Sequence, residues 1–163
     1  MLIILNGVPN AGKTSVAKVL QARMPNTVHL EVEVLRNMFE WMPIGDAVPI
    51  ALENAKSILP NFLRRGMNVV FDYPLDVYWH SYLVKDLPEG VQVRTFTLCP
   101  RLEVAMRNRG AREIAPEFAE RIKYLYETDM NDPSLGMFID NSELTAIDTA
   151  TVILEELRRS AQV

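Results

Sequence analysis

The sequence predicts an α/β fold, a parallel sheet with helices on both faces, from three observations. Leu2-Ile3-Ile4-Leu5 is a continuous apolar run, the pattern of a strand buried on both faces. The segment that follows, Gly7-Val8-Pro9-Asn10-Ala11-Gly12-Lys13-Thr14, satisfies G-x-x-x-x-G-K-[ST], the phosphate-binding loop that joins a strand to a helix. Four more strand-like runs then alternate with helical apolar periodicity, the sequence form of a doubly covered parallel sheet. Right-handed crossovers place loop-borne chemistry at the C-terminal edge of such a sheet.

The first helix is predicted from about Lys13 to Arg23, where Val16, Ala17, Val19 and Leu20 recur at helical spacing. Pro25-Asn26 makes a turn and Val28–Val32 a second strand. A helix follows from about Val34 and stops before Pro43, leaving Trp41–Asp46 as a loop with large apolar residues. Pro49 suits a helix first turn, and Ala51, Ala55, Ile58, Leu59, Phe62 and Leu63 carry an apolar stripe to Gly66, a C′ glycine. Pro60 lies inside that stripe and is expected to kink or split the helix. Asn68–Phe71 is a third strand, Val77–Leu87 a helix, and Val91–Leu98 a fourth strand. Pro100 opens a helix ending near Gly110, and Pro116 opens another that carries Phe118, Ile122, Leu125 and Tyr126. Met137–Ile139 is a fifth strand, and the last helix runs from about Asp148 to Arg159.

A chain of 163 residues is expected to form one domain, 1–163, with a single core. No apolar run approaches the roughly 20 residues of a membrane span, and no signal peptide is readable. Cys99 is the single cysteine, which excludes an internal disulfide and suits a reducing, cytoplasmic setting. The net charge is −4, yet Arg94, Arg101, Arg107, Arg109, Arg112 and Arg121 crowd one segment. A local arginine cluster on an acidic chain suits a small anionic ligand. A nucleic-acid backbone favours an extended basic face, so a polynucleotide partner is disfavoured.

The glycines of the loop let successive backbone N–H groups point inward as an anion nest at a helix N-terminus. Gly7, Asn10, Ala11, Gly12, Lys13, Thr14 and Ser15 are the expected nucleotide-binding residues. Lys13 would reach the β- and γ-phosphates, and the Thr14 hydroxyl would ligate Mg²⁺. Val69-Val70-Phe71-Asp72 is an apolar strand ending in an acid, the layout in which a carboxylate holds Mg²⁺ directly or through water. Glu33, after the second strand, is expected near the γ-phosphate, where a carboxylate orients an acceptor hydroxyl and takes its proton. Arg36 sits one turn on and would bind an anionic substrate group or the transferring phosphoryl. The bland alternative is an ordinary i,i+3 ion pair between the two.

Arg107, Arg109 and Arg112, followed or flanked by Gly110, describe a lid over about 101–116 that closes on phosphates. An arginine there would neutralise charge on the transferring group. The competing explanation is the preference of arginine for helix C-termini. His29 and His80 have no partners at metal-ligand spacing. Trp41, Met42, Ile44 and Tyr73 suggest an acceptor pocket with apolar walls, suited to a drug-like or nucleoside acceptor.

With Gly7–Thr14, Glu33-Val-Leu-Arg36 in the place of Asp-x-x-Arg, Val69–Asp72, and Leu98-Cys-Pro followed by Arg107-Asn-Arg109, the chain resembles small P-loop kinases along essentially its whole length. These are the nucleoside-monophosphate-kinase-like enzymes, and within them the AAA_33-type group. That group includes polynucleotide kinase, zeta-toxin-like and chloramphenicol-phosphotransferase-like enzymes. The resemblance implies a P-loop NTPase three-layer sandwich with strand order 2-3-1-4-5, and use of ATP and Mg²⁺. It implies Glu33 as catalytic base, Arg36 on substrate or phosphate, and adenine packed near Arg107 and Asp140-Asn141-Ser142. The Glu31-x-Glu33 pair also resembles the Asp-x-Asp of shikimate kinases, whose glycine-rich segment after the third strand is absent here.

The expected activity is transfer of the γ-phosphoryl group of ATP to a hydroxyl of a small molecule. Lys13, Glu33, Arg36, Arg107 and Arg112 form the catalytic set, and Thr14 and Asp72 hold the metal. Two alternatives share these residues: a 5′-hydroxyl nucleic-acid kinase, marked by salt-sensitive oligonucleotide binding, and a nucleotide-binding regulatory module without turnover.

Overall fold

The computed structural model describes residues 1–107, 114–128 and 132–160. Five strands, β1 (Leu2–Gly7), β2 (Thr27–Glu31), β3 (Asn68–Asp72), β4 (Val93–Leu98) and β5 (Met137–Ile139), form one sheet in the order β2-β3-β1-β4-β5. Every pairing is parallel. The register puts Leu5 beside Asp72, Glu31 beside Asp72, and Gly7 beside Leu98. The chain-ending residues of β1, β2 and β3 therefore share one edge, where the P-loop leaves the sheet.

Strand periodicity divides β1 between two cores. Ile3 and Leu5 face α1 (Lys13–Arg23), α6 (Pro116–Glu127) and α7 (Ala146–Ser160), in a cluster with Val16, Leu20, Ile122 and Ile153. Leu2 and Ile4 face the other way, against Leu52, Leu59 and Leu63 of α3 (Ile44–Leu63) and Leu83 of α4 (Val77–Val84). All four β1 side chains are fully buried. At about 1.5–3 kcal/mol per buried aliphatic side chain, burial of this kind on both faces is the main term holding the layers.

Several boundaries differ from those predicted, each for a local reason. β2 ends at Glu31, one residue before the predicted end, and α2 (Val32–Arg36) starts at once, so Glu33 lies in a helical first turn. A short 3₁₀ turn, Asn37–Phe39, follows. α3 begins at Ile44, ahead of Pro49, and is not split at Pro60. Its buried stripe Ala47, Ala51, Ala55, Leu59 and Leu63 runs through both prolines, so packing outweighs the two missing donors. Gly66 adopts φ +73° and donates to the Leu63 carbonyl, closing the helix as predicted.

α4 ends at Val84 and β4 begins at Val93. The helix after β4, α5 (Leu102–Ala105), is a single turn. Arg109, Gly110 and Arg112 lie outside the described residues. α7 starts before Asp148 because Thr145 and Asp148 cap it reciprocally: the Asp148 N–H donates to Thr145 Oγ1 and the Thr145 N–H to Asp148 Oδ2. Among the described residues no helix is long and apolar enough to cross a membrane.

A candidate phosphoryl-transfer site

The P-loop bends through left-handed backbone at three positions, Gly7 (φ +127°), Asn10 (φ +65°) and Gly12 (φ +91°). At Gly7 the close approach also matters: a Cβ there would stand 2.3 Å from the Leu98 carbonyl oxygen. Lys13 opens α1, is 7% exposed, and donates to the carbonyls of Gly7 at 3.0 Å and Val8 at 2.9 Å. Its charge is thereby held inside the curve of the loop.

Two side chains tie the loop to neighbouring segments. Asn10 Nδ2 donates to the carbonyls of Ala105 (2.7 Å) and Arg107 (3.0 Å). Asn141 Nδ2, beyond β5, donates to the Ala11 carbonyl at 2.8 Å. Asn141 is 3% exposed, and this bond braces the loop. The Arg107 carbonyl meets Asn10, and the Arg107 side chain is exposed.

The sheet edge gathers oxygen ligands. Thr14 Oγ1 is 3.5 Å from Glu31 Oε1, and Glu31 pairs in register with Asp72. His29 Nε2 lies 3.3 Å from Asp72 Oδ2, both side chains nearly buried. A hydroxyl and two carboxylates at one end of an anion cradle match the donor set of Mg²⁺, which takes one or two carboxylates plus water and phosphate oxygens. Glu31 had no assigned role in the sequence. The signal was present in its strand parity with His29, but its place opposite Asp72 depends on sheet register.

The cleft between the P-loop and the β3 edge holds about 400 Å³. Gly12, Lys13, Thr14 and Ser15 form one wall, and Glu31, Glu33, Arg36, Asp72, Tyr73 and Arg121 contribute to the other. Glu33 and Arg36 form a two-pronged ion pair, Nε to Oε2 at 3.0 Å and Nη2 to Oε1 at 2.5 Å. Two of the Arg36 donors are thus committed to the carboxylate, whose hydrogen bond raises the guanidinium pKa, and Nη2 also reaches Asn37 Oδ1 at 2.9 Å. The carboxylate side chain remains 39% exposed, so it keeps lone pairs for a hydroxyl.

Tyr73 is 7% exposed, and its phenol pKa is raised first by burial and then by the Glu33 charge, with Arg121 and Arg36 opposing. The hydroxyl therefore stays protonated, as a donor, at neutral pH. Of the expected apolar walls, Ile44 and Tyr73 line the cleft. Trp41, 79% exposed, and Met42 do not.

A buried network that the sequence does not advertise fixes the loop after β3. Asn6, fully buried, accepts from the Leu75 N–H at 2.7 Å and donates to Thr97 Oγ1 at 3.4 Å. Thr97 Oγ1 in turn donates to the Leu135 carbonyl at 2.8 Å. Asp72, Tyr73 and Pro74 are thus anchored from both ends.

The chain matches the family described as chloramphenicol phosphotransferase-like protein over residues 1–158. Among solved structures it is similar to a tunicamycin resistance protein of Deinococcus radiodurans, with a TM-score of 0.68 and 22% identity over 96% of this chain and 94% of that one. It is also similar to a gluconokinase of Sinorhizobium meliloti 1021, with a TM-score of 0.66 and 19% identity over 97% and 95%. A thymidylate kinase of Candida albicans superposes with a TM-score of 0.64 at 14% identity over 98% and 92%. These likenesses establish the P-loop kinase fold. No curated protein matches the chain.

Proposed function

The chain belongs to the chloramphenicol phosphotransferase-like family, and from that we propose that it is an ATP- and Mg²⁺-dependent kinase phosphorylating a hydroxyl of a small molecule. The observation that carries this reading is one cleft in which Lys13 and Thr14 face Glu33 across the sheet edge. Phosphoryl transfer needs little covalent help from protein; it needs positioning and charge neutralisation, which such a cleft supplies.

In this reading the loop N–H groups and Lys13 hold the β- and γ-phosphates, so that Lys13 exchanges its two carbonyl partners for phosphate oxygens. Thr14 and Asp72, with Glu31 beside them, would hold Mg²⁺. When bound, the ion would neutralise charge that develops between the β- and γ-oxygens. Glu33 accepts the hydrogen bond of the acceptor hydroxyl, aims its oxygen at the γ-phosphorus and takes the proton as transfer proceeds. Arg36 fixes the carboxylate so that it enters the reaction already oriented. Arg107 and Arg112 remain proposed lid residues that would close over the phosphates.

The test is ADP release from ATP·Mg²⁺ across nucleosides, sugars, antibiotics and 5′-hydroxyl oligonucleotides, with Glu33→Gln beside wild type. We expect stimulation by a small hydroxylated acceptor and a 10²–10⁴-fold lower kcat in the variant, roughly the range for general-base loss. Stimulation by oligonucleotides alone, or ATP binding with no stimulated turnover, would overturn the reading.

A further inference from the structure

We propose that the acceptor site is bipartite: Tyr73 and Arg121 hold an anionic group of the acceptor, and a side cavity behind them takes a flat apolar group attached to it. The proposal rests on the kinase reading and deepens it by naming the acceptor class, a hydroxylated aryl acid.

Three observations carry it. A second cavity of about 210 Å³ adjoins the cleft, and Tyr73, Pro74 and Arg121 line both. None of the P-loop residues reaches the second cavity. Arg121 thus borders both spaces, the cleft that Lys13 and Thr14 also line and the cavity beside it.

Arg121, half-buried on α6, makes no hydrogen bond or ion pair with any protein group among the described residues. The other guanidinium of the cleft, Arg36, is paired with Glu33. Tyr73 is more than nine-tenths buried, and its hydroxyl also has no hydrogen-bond partner among the described residues. Among them Asn141 Oδ1 is the single fully buried side-chain N or O atom left unpaired, so the Tyr73 oxygen keeps some exposure, on a residue that lines both spaces. Its phenol is affected by Glu33, Arg36 and Arg121 together, which locates it among them. A neutral donor and an unpaired cation converging on one space are the chemistry that recognises a carboxylate or phosphate.

The side cavity supplies the frame-binding surface. Val48, Leu52, Trp79, Tyr124 and Leu125 line it, and Trp79 is held by edge-on contacts with Tyr78 (5.2 Å) and Tyr82 (5.4 Å). The acid in this cavity, Asp76, caps α4 by accepting the Trp79 N–H at 2.7 Å. A planar ring bonded to the anionic group would stack there while its hydroxyl reaches Glu33.

The test uses Trp79 as reporter, in a Trp41→Phe background that leaves it the single tryptophan. Phenylacetate and phenylacetamide, equal in shape and different in charge, are titrated against its fluorescence. We expect saturable quenching, with the acid bound about tenfold more tightly than the amide. Arg121→Met should abolish that preference, and Tyr73→Phe, which keeps the ring, should weaken it several-fold. Binding of a fluorescent ATP analogue should be unchanged in both. Equal binding of acid and amide, no saturable signal from either, or loss of nucleotide affinity in Arg121→Met would overturn the proposal. ATP binding and acceptor-stimulated ADP release, measured on the same protein, report separately on the kinase reading.

Discussion

Asn10 Nδ2 lies 2.7 Å from the Ala105 carbonyl oxygen, across 95 positions of sequence, and ties the P-loop to the segment leading into the proposed lid. The same amide reaches the Arg107 carbonyl at 3.0 Å, two residues further along that segment.

Two substitutions separate this tether from backbone strain at φ +65°. Asn10→Ala keeps the Cβ that asparagine already carries in that conformation and loses the bonds, for about 1 kcal/mol in denaturant stability. Asn10→Gly loses the same bonds but relieves the Cβ crowding by roughly 1–2 kcal/mol, so its stability should stay close to wild type. Both should raise the KM for ATP; an unchanged KM in Asn10→Gly would show that the tether is irrelevant to the nucleotide.

Gly7→Ala should be among the most damaging single changes. Its Cβ meets the Leu98 carbonyl at 2.3 Å, so β1 and β4 must separate, at a cost of about 3 kcal/mol or more. Gly66→Ala is the control, because it has positive φ but open space and should cost only about 1 kcal/mol. Similar denaturation midpoints for the two variants would contradict the steric account.

Glu31→Gln tests the metal assignment apart from the proton. With Glu31 beside Thr14 and opposite Asp72, the variant should need about tenfold more Mg²⁺ for half-maximal ADP release. kcat at saturating Mg²⁺ should fall far less than in Glu33→Gln. A kcat collapse at all Mg²⁺ concentrations would instead make Glu31 the base.

Burial holds the His80 pKa below its ordinary 6.5, with the ring bonded to Thr95 Oγ1 at 2.8 Å. Below 6.5 the unfolded chain binds a proton that the folded state resists, so this contribution is full above that pH and lost as pH falls toward the folded value. The difference in denaturant midpoint between about pH 7.5 and about pH 5.5 should shrink in His80→Asn. An identical difference in both proteins would show that His80 is uncoupled from folding.

The parts of the site legible in sequence are those that one local stretch completes. Gly7–Thr14 carries its own geometry, because glycine spacing, the lysine and the following helix are consecutive, and the loop functions as one turn of backbone. Asp72 was legible because an apolar strand ending in an acid at a sheet edge is a local pattern. Glu33 follows β2 in sequence and lines the cleft, but α2 begins at Val32, ahead of the predicted Val34. Nothing short-range distinguishes a strand that ends at Glu31 from one that ends one residue later.

What the sequence by itself determined is the doubly covered parallel sheet, the phosphate cradle and the oxygen-rich edge, since these follow from periodicity and consecutive motif residues. The order β2-β3-β1-β4-β5, implied by family resemblance, then brings Glu31 opposite Asp72 through register alone. Only the tertiary structure decided that Tyr73 and Arg121 share a wall, that Asn10 and Asn141 brace the loop, and that Trp41 stays outside the cleft. Those relations join residues tens of positions apart, and their energies depend on helix packing angles and side-chain volumes that no local window of sequence contains.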